Sequence, residues 1–119
     1  MQALDVVKEY YARIDAGEVD WVVDLFADAC RYDRAGATYR GKPAVRRFYD
    51  HERKVKLTHY DLRFWHAGHD VFVEGAFAGH GSDNSPRRGE FADHWTFNEA
   101  GRVVCRRTSL FSGAEFIRA

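Results

Sequence analysis

The apolar residues of this chain change their spacing near Thr58. Before that point they recur every three or four residues, as in Leu4, Val7 and Tyr11, which is the spacing of one helix face. After it they alternate with polar residues, which is typical of strands that bury one face. Helices followed by an antiparallel meander predict an α+β fold in which the helices pack on one face of a curved sheet.

Three helices are predicted before this change. The first ends at Gly17, because glycine accepts the left-handed backbone that follows a helix end. The second covers roughly residues 20–28, and a short strand over residues 29–34 follows it. The third begins at Lys42-Pro43, since proline fits the first turn of a helix, where its missing N–H is not needed.

The strands of the second half are predicted from alternation. The first two contain Leu62 and Val73, and the last two cover residues 91–97 and 102–111. Residues 81–89 are rich in Gly, Ser, Asp and Asn and contain a proline, so they predict the loop between the second and third of these strands.

Length and charge restrict the possible classes of function. A chain of 119 residues has room for one domain, which we expect to span residues 1–119. Its 18 basic residues balance 18 acidic ones, whereas a dedicated nucleic-acid binder usually has a basic excess. No apolar run approaches the ~20 residues of a membrane helix, and the N-terminus lacks the pattern of a signal peptide. We therefore expect a cytoplasmic domain that binds neither nucleic acid nor membrane.

The most informative single position is Asp93. It alternates with Phe91 and Trp95, so strand geometry places its carboxyl on the same face as these large aromatic rings. A carboxyl there must be neutralised, hydrogen-bonded or paired. Two interpretations stay open: a pocket carboxyl with a raised pKa, or an ion pair with Arg106 or Arg107 on the next strand.

Three further residues are candidates for chemistry. Asp33 lies at the end of a short strand ahead of a glycine turn, where a carboxylate can act as a base or cap the turn. Tyr10 and Tyr49 lie on apolar helix faces, and a buried tyrosine hydroxyl needs a hydrogen-bond partner. The six histidines show neither an HExxH nor a zinc-finger spacing, and nucleotide-binding motifs are absent, so we expect no metal and no cofactor.

Several segments resemble one known superfamily. Leu25-Phe26-Ala27-Asp28 resembles its second helix, Arg47-Phe48-Tyr49 its third helix, and the segment from Asp93 to Val104 its penultimate hairpin. The chain is similar to the NTF2-like (SnoaL-like) superfamily, and most similar to its ketosteroid isomerase branch. The resemblance implies an α+β cone of the NTF2-like or cystatin-like type, with three N-terminal helices on a strongly curved, mostly antiparallel sheet.

The resemblance also implies roles for five residues. Tyr10 and Asp93 match the donors of an oxyanion hole, the latter as a carboxylic acid kept protonated by apolar surroundings, and Asp33 matches the general base. Tyr49 and Trp95 match residues of the substrate pocket. The expected activity is proton transfer next to a carbonyl, as in double-bond isomerisation.

Two other functions are compatible with the same residues. One is a SnoaL-like polyketide cyclase, and the other is a non-catalytic NTF2-like domain that binds a ligand or a partner. In each case the expected ligand is a small hydrophobic or polyketide-like carbonyl compound. The resemblance further predicts a homodimer that forms through the outer sheet face, where His94 and Thr96 lie, with a mostly polar interface.

Overall fold

A six-stranded curved sheet with helices on one face makes up the fold. The computed structural model describes residues 2–53 and 55–111, apart from the side chains of residues 52 and 55. The elements of the first half are α1 (Ala3–Asp15), α2 (Val19–Asp24), β1 (Phe26–Arg34), β2 (Ala37–Arg40), α3 (Lys42–Arg47) and a π-helical segment (Phe48–Glu52). Those of the second half are β3 (Val55–Ala67), β4 (Asp70–Gly81), β5 (Pro86–Phe97) and β6 (Val103–Leu110).

The strands lie in the order β2-β1-β6-β5-β4-β3. Every neighbouring pair is antiparallel except β1 and β6, which run parallel. The early strands β1 and β2 therefore join the edge of a meander formed by the second half of the chain. The predicted α+β class with a curved, mostly antiparallel sheet is confirmed. No helix in the described part of the chain is long and apolar enough to cross a membrane.

The second helix ends earlier, and the first strand begins earlier, than the sequence predicts. The helix ends at Asp24 instead of residue 28, and Phe26 already belongs to β1, where it pairs with Val103. Strand β2 was not predicted at all. The local spacing of apolar residues favoured a longer helix, but pairing with β6 brings Phe26 into the sheet, and that contact is not visible in the local sequence.

The core lies between the helices and one face of the sheet, which we call the inner face. Along β5, Phe91, Asp93, Trp95 and Phe97 are all buried, whereas the residues between them are half-buried. This confirms the alternation expected around Asp93. His94 belongs to the opposite, outer face, as predicted, and it stacks there on the ring of Phe72.

Strand β3 contains a β-bulge. The pairing of β3 with β4 shifts between Tyr60 and Arg63, and Asp61 within this bulge has a φ of 53°. A bulge residue in the left-handed region is most often glycine, and aspartate is one of the few other residues that tolerates it. Bulges in general bend the strand that carries them and increase its twist.

Substitutions at Asp61 should therefore separate backbone strain from side-chain contacts. Asp61→Val should lower the free energy of unfolding by about 1–2 kcal/mol, because a branched residue disfavours the left-handed region, whereas Asp61→Gly should retain or raise it. Thr58→Val, an exposed position in the same strand, provides the control and should change little. Urea unfolding measures all three, and equal stability of the valine and glycine variants at position 61 would contradict the assignment of strain.

Candidate active site

An ion pair between Asp93 and Arg106 lies inside the fold. The two residues are 2% and 5% exposed and belong to the adjacent strands β5 and β6. Arg106 Nη2 is 2.9 Å from Asp93 Oδ2, and Arg106 Nε is 3.3 Å from Oδ1. Of the two interpretations left open by the sequence, the ion pair with Arg106 is the one observed.

Asp93 accepts two more hydrogen bonds. The hydroxyl of Tyr11 donates to Oδ2 at 2.5 Å, and the hydroxyl of Thr108 donates to Oδ1. Both oxygens thus accept from donors, which is the arrangement of an ionised carboxylate. The expectation that Asp93 acts as a protonated donor is not met by this geometry.

Arg106 connects the ion pair to two more tyrosines. Its Nη1 atom donates to the hydroxyl of Tyr10 at 2.7 Å and to that of Tyr49 at 2.8 Å. These two hydroxyls are 2.7 Å apart. Tyr10 comes from α1 and Tyr49 from the π-helical segment, so one guanidinium joins two helical elements to the sheet.

Aromatic rings enclose the guanidinium. Its central carbon lies 4.3 Å from the ring centre of Trp95, 4.6 Å from that of Tyr10 and 4.7 Å from that of Tyr32. Rings at these distances attract a cation through their electron-rich faces, and they replace part of the hydration that burial removes. Trp95, expected in the pocket, is fully buried here and donates its indole N–H to the Tyr11 hydroxyl at 3.2 Å.

Burial and charge set the protonation states of this cluster. Burial raises the pKa values of Tyr11 and Tyr49 well above the usual value, with Asp93 adding to the effect at Tyr11 and Tyr10 adding to it at Tyr49, while Arg106 opposes both. Burial alone would lower the pKa of Arg106, but Asp93 and the neighbouring tyrosines outweigh it, so the guanidinium stays charged. At neutral pH the hydroxyls of Tyr11 and Tyr49 are therefore protonated.

Asp33 does not join this cluster, which corrects the expectation of one common pocket. Its neighbour Tyr32 faces inward and is buried, so Asp33 points to the outer face of β1. There its carboxylate is 3.0 Å from Arg31 Nε and 4.0 Å from Arg107 Nε. The hydrogen bond from Arg31 lowers the pKa of Asp33, which makes it a weaker base.

The structure thus brings Tyr10, Tyr49, Asp93 and Trp95 together and leaves Asp33 outside. Sequence reasoning missed Tyr11, although it lies on the same apolar face of the first helix as Tyr10. It treated Arg106 only as a partner for Asp93, because the link to both tyrosines depends on contacts between distant elements. Within residues 2–53 and 55–111, no three His, Cys, Asp or Glu side chains are grouped so that they could hold a metal ion.

A protein-family model of the SnoaL-like domain matches residues 7–106 of the chain. The chain belongs to the SnoaL-like family. The match spans most of the chain and includes Tyr10, Tyr49, Asp93 and Arg106.

Similar solved structures agree with the fold. A putative polyketide cyclase from Pseudomonas putida superposes with a TM-score of 0.83 at 16% identity, covering 92% of this chain and 91% of its own. An NTF2-like protein of unknown function from Burkholderia pseudomallei gives 0.83 at 22% identity, with 99% and 97% covered. An LEH-like epoxide hydrolase from M. tuberculosis gives 0.82 at 16% identity, with 97% and 86% covered. At these identities the likeness establishes the shared NTF2-like fold.

The raised pKa values predict a fall of stability in alkali. Between the pKa of an unfolded tyrosine, about 10, and the higher folded value, the native state keeps a proton that the unfolded chain loses. Each such tyrosine therefore stabilises the protein fully below pH 10 and lowers the free energy of unfolding by about 1.4 kcal/mol per pH unit above it. Tyr49→Phe should make this alkaline slope shallower by about that amount, as measured by urea unfolding between pH 9 and 11. An unchanged slope would contradict the buried, protonated state of Tyr49.

Proposed function

We propose that this chain is a small-molecule enzyme of the SnoaL-like polyketide cyclase type. It removes a proton from a carbon next to a carbonyl and uses the resulting enolate to form a carbon–carbon bond within the same ligand. The ligand is a small hydrophobic or polyketide-like carbonyl compound. The observation that carries this proposal is the pair of tyrosine hydroxyls held by the buried guanidinium of Arg106.

A count of protons identifies an unused donor in this pair. Tyr10 and Tyr49 each have one hydroxyl proton, and Arg106 can only donate. One of the two protons forms the bond between the hydroxyls, and no second acceptor for either hydroxyl occurs among the described residues. The other proton has no acceptor among these residues, and in this proposal it is donated to a ligand oxygen.

Arg106 makes this donor suitable for stabilising an enolate oxygen. Its positive charge lies behind both hydroxyl oxygens, at 2.7 and 2.8 Å, in surroundings from which water is largely excluded. Charges and dipoles that are already oriented in such a site stabilise a developing negative charge far better than water does. In this proposal Asp93 holds Arg106 in place and Trp95 forms part of the wall.

The test is hydrogen–deuterium exchange at the carbon next to a carbonyl. The probes are 2-tetralone and the acetoacetyl thioester of N-acetylcysteamine in D₂O, followed by NMR. Removing both hydroxyls, in a Tyr10→Phe/Tyr49→Phe variant, should lower the catalysed rate by about 10²–10³-fold, the usual effect of losing an oxyanion donor. Asp33→Asn, on the outer face, is the matched control and should keep the rate.

Each result has a defined meaning. A folded double variant with the wild-type rate would overturn the role of the tyrosine pair. A large loss in the Asp33→Asn variant would instead favour the isomerase-like scheme in which Asp33 is the base. Circular dichroism and urea unfolding of every variant separate lost chemistry from lost fold.

One observation favours a second candidate, a domain that binds a ligand without changing it. Asp93 and Arg106 satisfy one another, and neighbouring side chains such as Trp95 are fully buried. Such a domain would bind the probe ketones and gain thermal stability that rises with the logarithm of their concentration above the dissociation constant. Stabilisation of the wild-type protein by the probes without any catalysed exchange would establish this second function in place of the first.

We further propose that two copies of the chain pair through their outer sheet faces. This face is less polar than expected from the sequence, because Trp65 is 49% exposed and Phe72 is 42% exposed there. Both rings line a groove of about 370 Å³, together with Glu74, His94 and Arg107. A face that carries aromatic rings and charges of both signs can be complementary to itself about a two-fold axis.

Light scattering tests this assembly. The wild-type protein should have twice the 13.7 kDa mass of the chain at micromolar concentration. Trp65→Glu should give monomers, because it places an unpaired charge in the centre of the interface. Ala12→Glu, which adds the same charge to the exposed side of α1, is the control and should remain dimeric. A wild-type monomer, or a Trp65→Glu dimer, would refute the proposed interface.

A further inference from the structure

A second polar pair, Asp15 and His59, lies on the helix side of the sheet and has no part in the cluster around Arg106. Asp15 is the last residue of α1, and His59 lies in β3. The distance from His59 Nδ1 to Asp15 Oδ1 is 2.6 Å, and the backbone N–H of His59 donates to Asp15 Oδ2 at 2.8 Å. Both carboxylate oxygens are thus directed at the same histidine.

These contacts determine where the imidazole carries its proton. Since Asp15 accepts from the backbone N–H, its other oxygen is placed to accept a proton from Nδ1. The neutral imidazole therefore has its proton on Nδ1 and a lone pair on Nε2. This is the arrangement in which a carboxylate orients a histidine and stabilises the imidazolium that forms when Nε2 takes up a proton.

The lone pair on Nε2 is not used within the described part of the chain, where no hydrogen bond to this atom occurs. The side chain of His59 is 10% exposed.

Charged groups from three directions influence this histidine. Burial lowers the pKa of His59, the hydrogen bond and charge of Asp15 on α1 oppose this, and Arg106 on β6 and Arg53 just before β3 add to the lowering. The neutral form, which can accept a proton, is therefore the form present at pH 7. A histidine whose only role was to neutralise the charge of Asp15 would have to be in its charged form.

Aromatic rings of the core hold the imidazole of His59 in place. Its centre lies 5.3 Å from that of Tyr11 and 5.4 Å from that of Phe91. Tyr11 in turn donates its hydroxyl to Asp93, so the histidine and the Arg106 cluster share one aromatic neighbour. Phe77 lies opposite His59 in the pairing of β3 with β4, and it is partly buried against the core.

We propose that His59 is the general base of this enzyme and that Asp15 is its positioning residue. The assignment rests on the proposed function and identifies the group that removes the proton, a role that Asp33 cannot fill from the outer face.

The proton transfer balances within one turnover. Nε2 forms a bond to the hydrogen of the carbon next to the first carbonyl, and the electron pair of the broken C–H bond becomes the enolate. The enolate carbon then bonds to the carbon of the second carbonyl. The alkoxide formed there takes the proton back from Nε2, which regenerates the neutral imidazole. No oxidant, reductant or second substrate is needed.

The decisive comparison uses two histidine variants and the exchange assay described above. His59→Gln keeps a side-chain group that can donate to Asp15 but has no basic nitrogen, so exchange should fall at least about 100-fold, the lower range for a general base. His94→Gln is the matched control, because His94 also bonds to an aspartate, Asp70, at 2.9 Å, but on the outer face. It should keep the wild-type rate.

The pH profile separates a positioning role of Asp15 from a structural one. Asp15 raises the pKa of His59, so Asp15→Asn should lower that pKa and move the acidic limb of the pH–rate profile to lower pH, together with a loss of about tenfold in rate. A residue that only fastens α1 to β3 would change stability and leave the position of this limb unaltered.

Nitrogen-15 NMR of the histidine rings gives a readout independent of turnover. At pH 7 the shifts of His59 should be those of a neutral ring with its proton on Nδ1, and a charged ring or a proton on Nε2 would overturn the assignment. Exchange that survives in His59→Gln would overturn it as well, while leaving the proposed function intact. No catalysed exchange by the wild-type protein would overturn the proposed function, and this assignment with it.

Discussion

The buried ion pair between Asp93 and Arg106 is the interaction on which the interior of this protein depends. Breaking such a pair by removing one partner usually costs about 3–5 kcal/mol, because the other charge is left without compensation. Here the guanidinium also holds the hydroxyls of Tyr10 and Tyr49. One side chain therefore determines how α1, the π-helical segment and the last two strands fit together.

The same pair decides which chemistry the interior can perform. A carboxylate that accepts from Arg106, Tyr11 and Thr108 is fully engaged as an acceptor, so it cannot serve as a neutral donor. We propose that the tyrosine hydroxyls beside Arg106 supply the donor and that His59 accepts the proton. The ketosteroid isomerase scheme gives Asp33 the role of base and Asp93, together with Tyr10, the role of donor, whereas here Asp33 lies on the outer face and Asp93 is paired with Arg106.

The two faces of the sheet have different characters because residues alternate along each strand. The inner face carries the ion pair and the aromatic rings around it. The outer face carries Asp33 with Arg31, and also the exposed rings of Trp65 and Phe72. Tyr32 and Asp33 are consecutive residues of one strand and therefore lie on opposite faces. The ring of Tyr32 lies over Arg106, and Asp33 points away from it.

Much of this organisation follows from the sequence alone. The change from helical to alternating spacing predicts the α+β class, and the alternation of Phe91, Asp93 and Trp95 predicts an inward carboxyl, because both patterns depend on local backbone geometry. The apolar faces of the helices likewise bring Tyr10 and Tyr49 to the interior. Family membership is also a property of the sequence, since the model of the SnoaL-like domain matches residues 7–106.

Only the tertiary structure decides which of these groups meet. The parallel pairing of β1 with β6 shortens the second helix and turns Asp33 outward, and the contact between Asp15 and His59 joins residues 44 positions apart. The sequence left both Arg106 and Arg107 as possible partners of Asp93. These two residues are consecutive in the strand and therefore lie on opposite faces, and the observed partner is Arg106. Which side chains meet depends on the strand register and on the distances between elements. The local spacing of residues in the sequence carries no information about either.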